Sequence, residues 1–135
     1  MNYWLCVTND DNWEVIRKKR VWGVPERRRN LIKTVAPGDQ LVIYVAPKRI
    51  GGIFEVVSRF YERRDKIFKE VKGEIFPYRV DLSPIMALSE PKGFMEIREK
   101  LSFIPDTRYW SAPLRRGMVK ITEEDFQIIE KYLEA

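Results

Sequence analysis

The residues of this chain best suited to chemistry are arginines gathered around two tryptophans. In VWGVPERRR (Val21 to Arg29) Trp22 is set between two basic runs, and seven of the 25 basic side chains fall between Arg17 and Arg29, with Glu26 the only acid among them. In RYWSAPLRR, Trp110 is followed by Arg115 and Arg116. A flat ring beside a guanidinium can hold a nucleobase by stacking, for about 1–3 kcal/mol per base, while arginine pairs with phosphate. The same tryptophans could equally close the end of a barrel, and residue types alone leave the two readings level.

Missing residue types narrow the chemistry. The chain has no histidine and one cysteine, Cys6. A Cys/His zinc site, a Ser-His-Asp triad and a Cys-His nucleophile therefore cannot be assembled from one chain. Cys6, within YWLCV, reads as a small buried hydrophobe. Asp10 and Asp11 read as helix-capping residues, and Asp39, Asp81 and Asp106 are isolated in sequence. Catalysis by Lys, Arg, Tyr and Asp is the enzymatic alternative that remains. Neither a metal nor a cofactor is expected.

The net charge is +5 with a pI near 9.4, a moderate surplus whose clustering matters more than its size. The first basic cluster reads as a phosphate footprint. YERRDKIFKEVKGE mixes both signs and reads as a solvated surface. No apolar run approaches the roughly 20 residues of a membrane span, and MNYWLCV lacks the pattern of a signal peptide, so a cytoplasmic protein without membrane contact is expected.

The elements that must position these residues are legible in outline. NYWLCVTN predicts a strand ending at a helix cap. A short helix from Trp13 to Arg20 should place Trp13, Ile16 and Arg20 on one face. VWGVPERRRN then reads as irregular, with Gly23 permitting a positive φ or a close approach. Gln40–Ala46 and Ile53–Tyr61 predict a hairpin, with Gly51 and Gly52 in its turn; no Lys-Ser/Thr follows them, so they do not form a phosphate cradle. Glu74–Leu82 predicts a strand with Pro77 at an edge or bulge, stopped by Ser83 and Pro84. Phe94, Ile97 and Leu101 predict an amphipathic helix, 104–117 a loop, GMVKI a closing strand, and Thr122 the cap of a last helix burying Phe126, Ile129 and Leu133. Connections look too short for parallel crossovers throughout. These pieces predict one α+β domain over 1–135, a mostly antiparallel, curved sheet or barrel with small peripheral helices.

The ordered segments YWLCVTN, VWGVP, PGDQLVIYV, GGIFEVVS, FPYRVDL and RYWSAPLRRGMVKITEEDF together resemble the EVE domain family. That family lies in the PUA-like superfamily, alongside the YTH readers of N6-methyladenosine and the ASCH domains. The resemblance covers nearly the whole chain and implies a PUA-like curved mixed β-barrel. It also implies a non-catalytic reader that takes an extruded base of modified DNA or RNA into an aromatic pocket. The pocket residues it implies are Asn9, Trp22, Gly23, Val24 and Pro25, with Phe76, Pro77 and Tyr78 as a second wall and Trp110 on the opposite rim. Arg17, Lys18, Arg20, Arg27, Arg28, Arg115 and Arg116 would meet phosphate. An ASCH-like RNA-processing enzyme and a small-molecule or protein-binding module are the alternatives.

Overall fold

The computed structural model describes residues 1–105 and 108–135. Asp106 and Thr107, part of the expected 104–117 loop, lie outside the described residues. Seven strands form one sheet: β1 (Tyr3–Thr8), β2 (Val21–Val24), β3 (Gln40–Val45), β4 (Arg49–Val56), β5 (Tyr61–Glu62), β6 (Tyr78–Gly93) and β7 (Met118–Ile121). Their order is β2-β6-β4-β3-β1-β7, with β5 on β6. All pairings are antiparallel except β1 with β3. That parallel pair makes the sheet mixed but mostly antiparallel, as expected; the path through α1 (Asp10–Lys19), β2 and α2 (Arg29–Ile32) is long enough to return the chain in the same direction. A third helix, α3 (Glu123–Glu134), follows β7. None of the described helices is long and apolar enough to cross a membrane.

Both faces of the sheet are buried, which explains why LVIYV, residues 41–45 of β3, is continuously apolar. Successive side chains of a strand point to opposite faces. Trp4, Cys6, Leu41, Ile43 and Val45 thus join the inner core with Trp22, Val24, Tyr78, Val80 and Met118. Leu5, Val42 and Tyr44 pack outward against Phe94, Ile97, Leu101 and the Phe126, Ile129 and Leu133 stripe of α3. The α3 cap is as expected, with Thr122 Oγ1 accepting from the Asp125 amide at 3.1 Å.

Local departures from the sequence reading have identifiable causes. Helix α1 starts at Asp10 because Asn9 caps it, its Oδ1 accepting the Asn12 amide at 2.9 Å. Arg20 terminates it in the left-handed region at φ 54°, exposed rather than on the buried face with Trp13 and Ile16. VWGV, expected to be irregular, is a strand: it pairs residue for residue with Tyr78–Asp81. The β3–β4 turn is Ala46 to Lys48, with a cis Ala46–Pro47 bond, and Gly51 and Gly52 lie inside β4 instead. There a Cβ on Gly51 would lie 2.8 Å from the Trp13 ring, and one on Gly52 would collide with the Met86 carbonyl.

Strand β4 ends at Val56, five residues early, and β6 starts only at Tyr78 but runs through Ser83 and Pro84. Beyond Asp81 strand β6 no longer pairs with β2, so a proline without an N–H is accommodated on that side. The expected 93–103 helix is a chain of turns with a 3-10 segment at Arg98–Lys100. Phe94, Ile97 and Leu101 are buried all the same, so their spacing reports burial and not helix. A further 3-10 segment, Ala112–Arg116, sits in the expected loop.

Candidate functional site

Strands β2 and β7 are the two ends of the curled sheet, and side chains bridge the seam between them. The Trp22 indole N–H donates to Met118 Sδ at 3.4 Å. Arg28, just before α2, donates through Nη2 to the Met118 carbonyl at 2.5 Å. A cavity of about 290 Å³ opens on this seam, next to the C-terminal end of β1. Val7 to Asn9, Trp22 to Pro25, Phe68, Phe76 and Leu114 to Met118 line it.

The aromatic wall comes from the irregular segment between β5 and β6. Phe68 and Phe76 meet edge to face, centroids 5.9 Å apart. Both rest on Gly23, where a Cβ would lie 2.9 Å from Phe68 Cε2 and 3.0 Å from the Phe76 carbonyl oxygen. Close approach, not a positive φ, is therefore what this glycine supplies.

Two clamps hold that segment. Arg79, 3% exposed, donates to the Phe76 carbonyl at 3.0 Å and to Asp65 Oδ1 at 2.7 Å, with its guanidinium 5.6 Å from the Phe68 centroid. The hydrogen bond from Arg79 holds the Asp65 carboxyl below its ordinary pKa, against the opposing effect of desolvation. Asn12, 4% exposed, forms a reciprocal pair with the backbone of Lys69: its Oδ1 accepts at 2.7 Å and its Nδ2 donates at 3.1 Å. Asp11 and the Lys69 ammonium add an ion pair at 2.9 Å.

The rim is basic. Arg27 is paired with Glu74 at 3.0 Å. Arg28, Arg115 and Arg116 have no carboxylate partner among the described residues. Burial, followed by the nearby charges of Arg27 and Arg116, pushes the Arg28 pKa down, and its buried Nε has no hydrogen-bond partner. Uncompensated cations of this kind favour an anion between them. Asn9 uses its carbonyl oxygen as the helix cap, which leaves its amide N–H groups for a ligand.

Of the residues singled out in the sequence, the cavity gathers Asn9, Trp22, Gly23, Val24, Pro25 and Phe76, together with Arg27, Arg28, Arg115 and Arg116. Three expected pocket residues are not part of it. Pro77 is buried outside the lining, and Tyr78 faces the inner core with its hydroxyl on Glu26. Trp110 stacks on Phe94 at 6.2 Å under Arg98, because its segment turns away before Leu114 re-enters the seam. Arg17 and Lys18 pair with Glu14 on the outer face of α1, and Arg20 forms its exposed cap; none lines the cavity.

Sequence reasoning missed Phe68, Asn12 and Arg79. Phe68 lies inside the mixed-charge stretch read as solvated surface. The available signal was its apolar pair IF (Ile67, Phe68), too isolated to outweigh the surrounding charges.

A UPF0310 protein of Pyrococcus abyssi is 46% identical over 98% of this chain and 100% of its own length. Human THYN1, solved in complex with 5-methylcytosine containing DNA, superposes with a TM-score of 0.67 at 15% identity, covering 100% of this chain and 99% of that one. The Pho92 YTH domain, solved in complex with m6A, superposes with a TM-score of 0.68 at 10% identity, covering 99% and 84%. At those identities the two structures establish the fold alone, a PUA-like curled sheet with small helices. The EVE domain model matches residues 2–132, and the chain belongs to the EVE domain family.

Proposed function

We propose that this protein is a non-catalytic reader of modified bases in nucleic acid, holding one extruded base in the seam cavity. The observation that carries the reading is the coincidence, in one opening, of aromatic walls from Trp22, Phe68 and Phe76 with a rim of arginines lacking carboxylate partners among the described residues. The complexes of THYN1 with 5-methylcytosine containing DNA and of the Pho92 YTH domain with m6A support it, since both share this fold.

Energetically the roles divide. Extruding a base costs a few kcal/mol, which ring contacts and edge hydrogen bonds must offset. A buried methyl group contributes about 0.8 kcal/mol of transfer energy, so most discrimination rests on fit to the cavity. Arginine contacts to phosphate supply affinity that is indifferent to sequence and falls with salt. Every tyrosine with a resolved shift is raised, Tyr61 to about 12 through burial and the Asp81 hydrogen bond, so none is poised as a base near neutral pH.

Binding of short oligonucleotides carrying different modified bases, in DNA and RNA and at two salt concentrations, tests the reading. The wild type should prefer one modified probe over its unmodified twin, and Trp22→Phe, checked for folding, should reduce that preference while keeping the salt-dependent affinity. Equal affinity for every modified and unmodified pair would refute it.

A further inference from the structure

The seam holds a second depression that the base-reading account leaves unused. It is a shallow groove of about 590 Å³ that shares Arg28, Arg116 and Met118 with the cavity and continues past Trp4 to Lys120 and Thr34. We propose that this groove is a subsite for the nucleotide adjoining the extruded base, with Arg28 and Arg116 holding the phosphodiester between the two and Lys120 meeting the next phosphate. The inference rests on the cavity being a base site.

Three observations carry it. The first is continuity: Thr8 lines the cavity and Trp4 the groove, four residues apart on β1, or about 13 Å along a strand. One stacked nucleotide step is about 3.4 Å, so the span accommodates a neighbouring nucleotide. The second is charge. Arg28, Arg116 and Lys120 have no carboxylate partner among the described residues, whereas Arg27, beside them in sequence, is neutralised by Glu74. Arg28 is also fixed in place by the Met118 carbonyl while its Nε stays buried and unpaired. The third is the placement of Lys120. It lies opposite Trp4 in the β1–β7 register and two residues from Met118, hence on the inward face of an edge strand, yet it is exposed at the open seam. Leu31 and Val119, both half-buried, supply apolar surface there for a sugar or base face.

An inward-pointing lysine on an edge strand also guards against edge-to-edge aggregation. That role would make Lys120 matter for self-association and not for ligand affinity.

The test uses the full chain and three probe sizes: a nucleoside, its monophosphate and a single-stranded hexanucleotide, each carrying 5-methylcytosine or N6-methyladenosine. Lys120→Ala should weaken hexanucleotide binding about three- to tenfold and lower the salt slope by about one, without changing nucleoside binding. Arg28→Gln, at a residue that also lines the cavity, should weaken the monophosphate and the hexanucleotide by a larger factor than the nucleoside. An unchanged salt slope in Lys120→Ala, or a hexanucleotide that binds no more tightly than the monophosphate, overturns the subsite. If neither nucleoside binds but the Lys120→Ala slope still falls, the base reading fails and the adjoining-nucleotide subsite falls with it, leaving Lys120 as a phosphate contact only.

Discussion

Adding one methyl group at Gly23 should damage the candidate pocket more than it damages the fold. The new Cβ would lie 2.9 Å from Phe68 Cε2, 3.0 Å from the Phe76 carbonyl and 3.2 Å from Phe76 Cβ. The carbonyl cannot withdraw, because it accepts from Arg79, so Phe68 must give way. Overpacking of this kind costs about 1–3 kcal/mol. At roughly 4 °C per kcal/mol for a domain of this size, Gly23→Ala should lower Tm by about 4–12 °C. Displacing the ring removes up to about 1–3 kcal/mol of base contact, or roughly five- to 150-fold in affinity for the preferred modified probe. Calorimetry and fluorescence anisotropy read the two effects. Gly23→Ala combined with Phe68→Leu isolates the clash, because the shorter side chain vacates the Cε2 position. The double variant should recover part of the lost Tm, a positive coupling of about 0.5–3 kcal/mol. Unchanged Tm and unchanged modified-base preference in Gly23→Ala would refute the packing argument.

Asn12→Ala should leave the Lys69 backbone N–H and C=O without their partner, costing about 1–3 kcal/mol and exposing the Lys69 amide to hydrogen exchange; retained protection would contradict the clamp. Asp65 has a folded pKa depressed below its usual value near 3.8. Its pairing with Arg79 therefore stabilises the fold fully above that usual value and is lost as pH falls through the folded one. An acid titration of stability should show this component in the wild type and not in Asp65→Asn. Cys6 is buried and its thiol pKa is pushed well up, so a thiol reagent at pH 8 should label the unfolded protein and spare the native one. Arg17→Ala should leave nucleic-acid affinity nearly unchanged, since the side chain pairs with Glu14 outside the cavity; a large loss would move the phosphate track onto α1.

Local regularities carried much of the fold into the sequence. The caps at Asn9 and Thr122, the apolar β3 segment and the buried stripe of α3 are visible because each depends on neighbours close in the chain. What depends on distant partners was not. Trp22 looked like a loop residue because VWGV becomes a strand only by pairing with Tyr78–Asp81, and β6 passes through Pro84 only because its β2 neighbour has already ended. Phe94, Ile97 and Leu101 show the opposite failure, since helical spacing there satisfies burial in turns. The cavity was half legible. Trp22 and the Arg27, Arg28 pair stand out by composition, whereas Phe68 enters through the buried Arg79 and Asn12, whose partners lie 14 and 57 residues away.

The most direct test follows the indole N–H resonances of the four tryptophans during titration with modified and unmodified nucleosides. With a base held in the seam cavity, the Trp22 signal, whose proton contacts Met118, shifts and saturates with a modified nucleoside while those of Trp4 and Trp110 stay in place. Saturable shifts at Trp110 with Trp22 unmoved would contradict that placement.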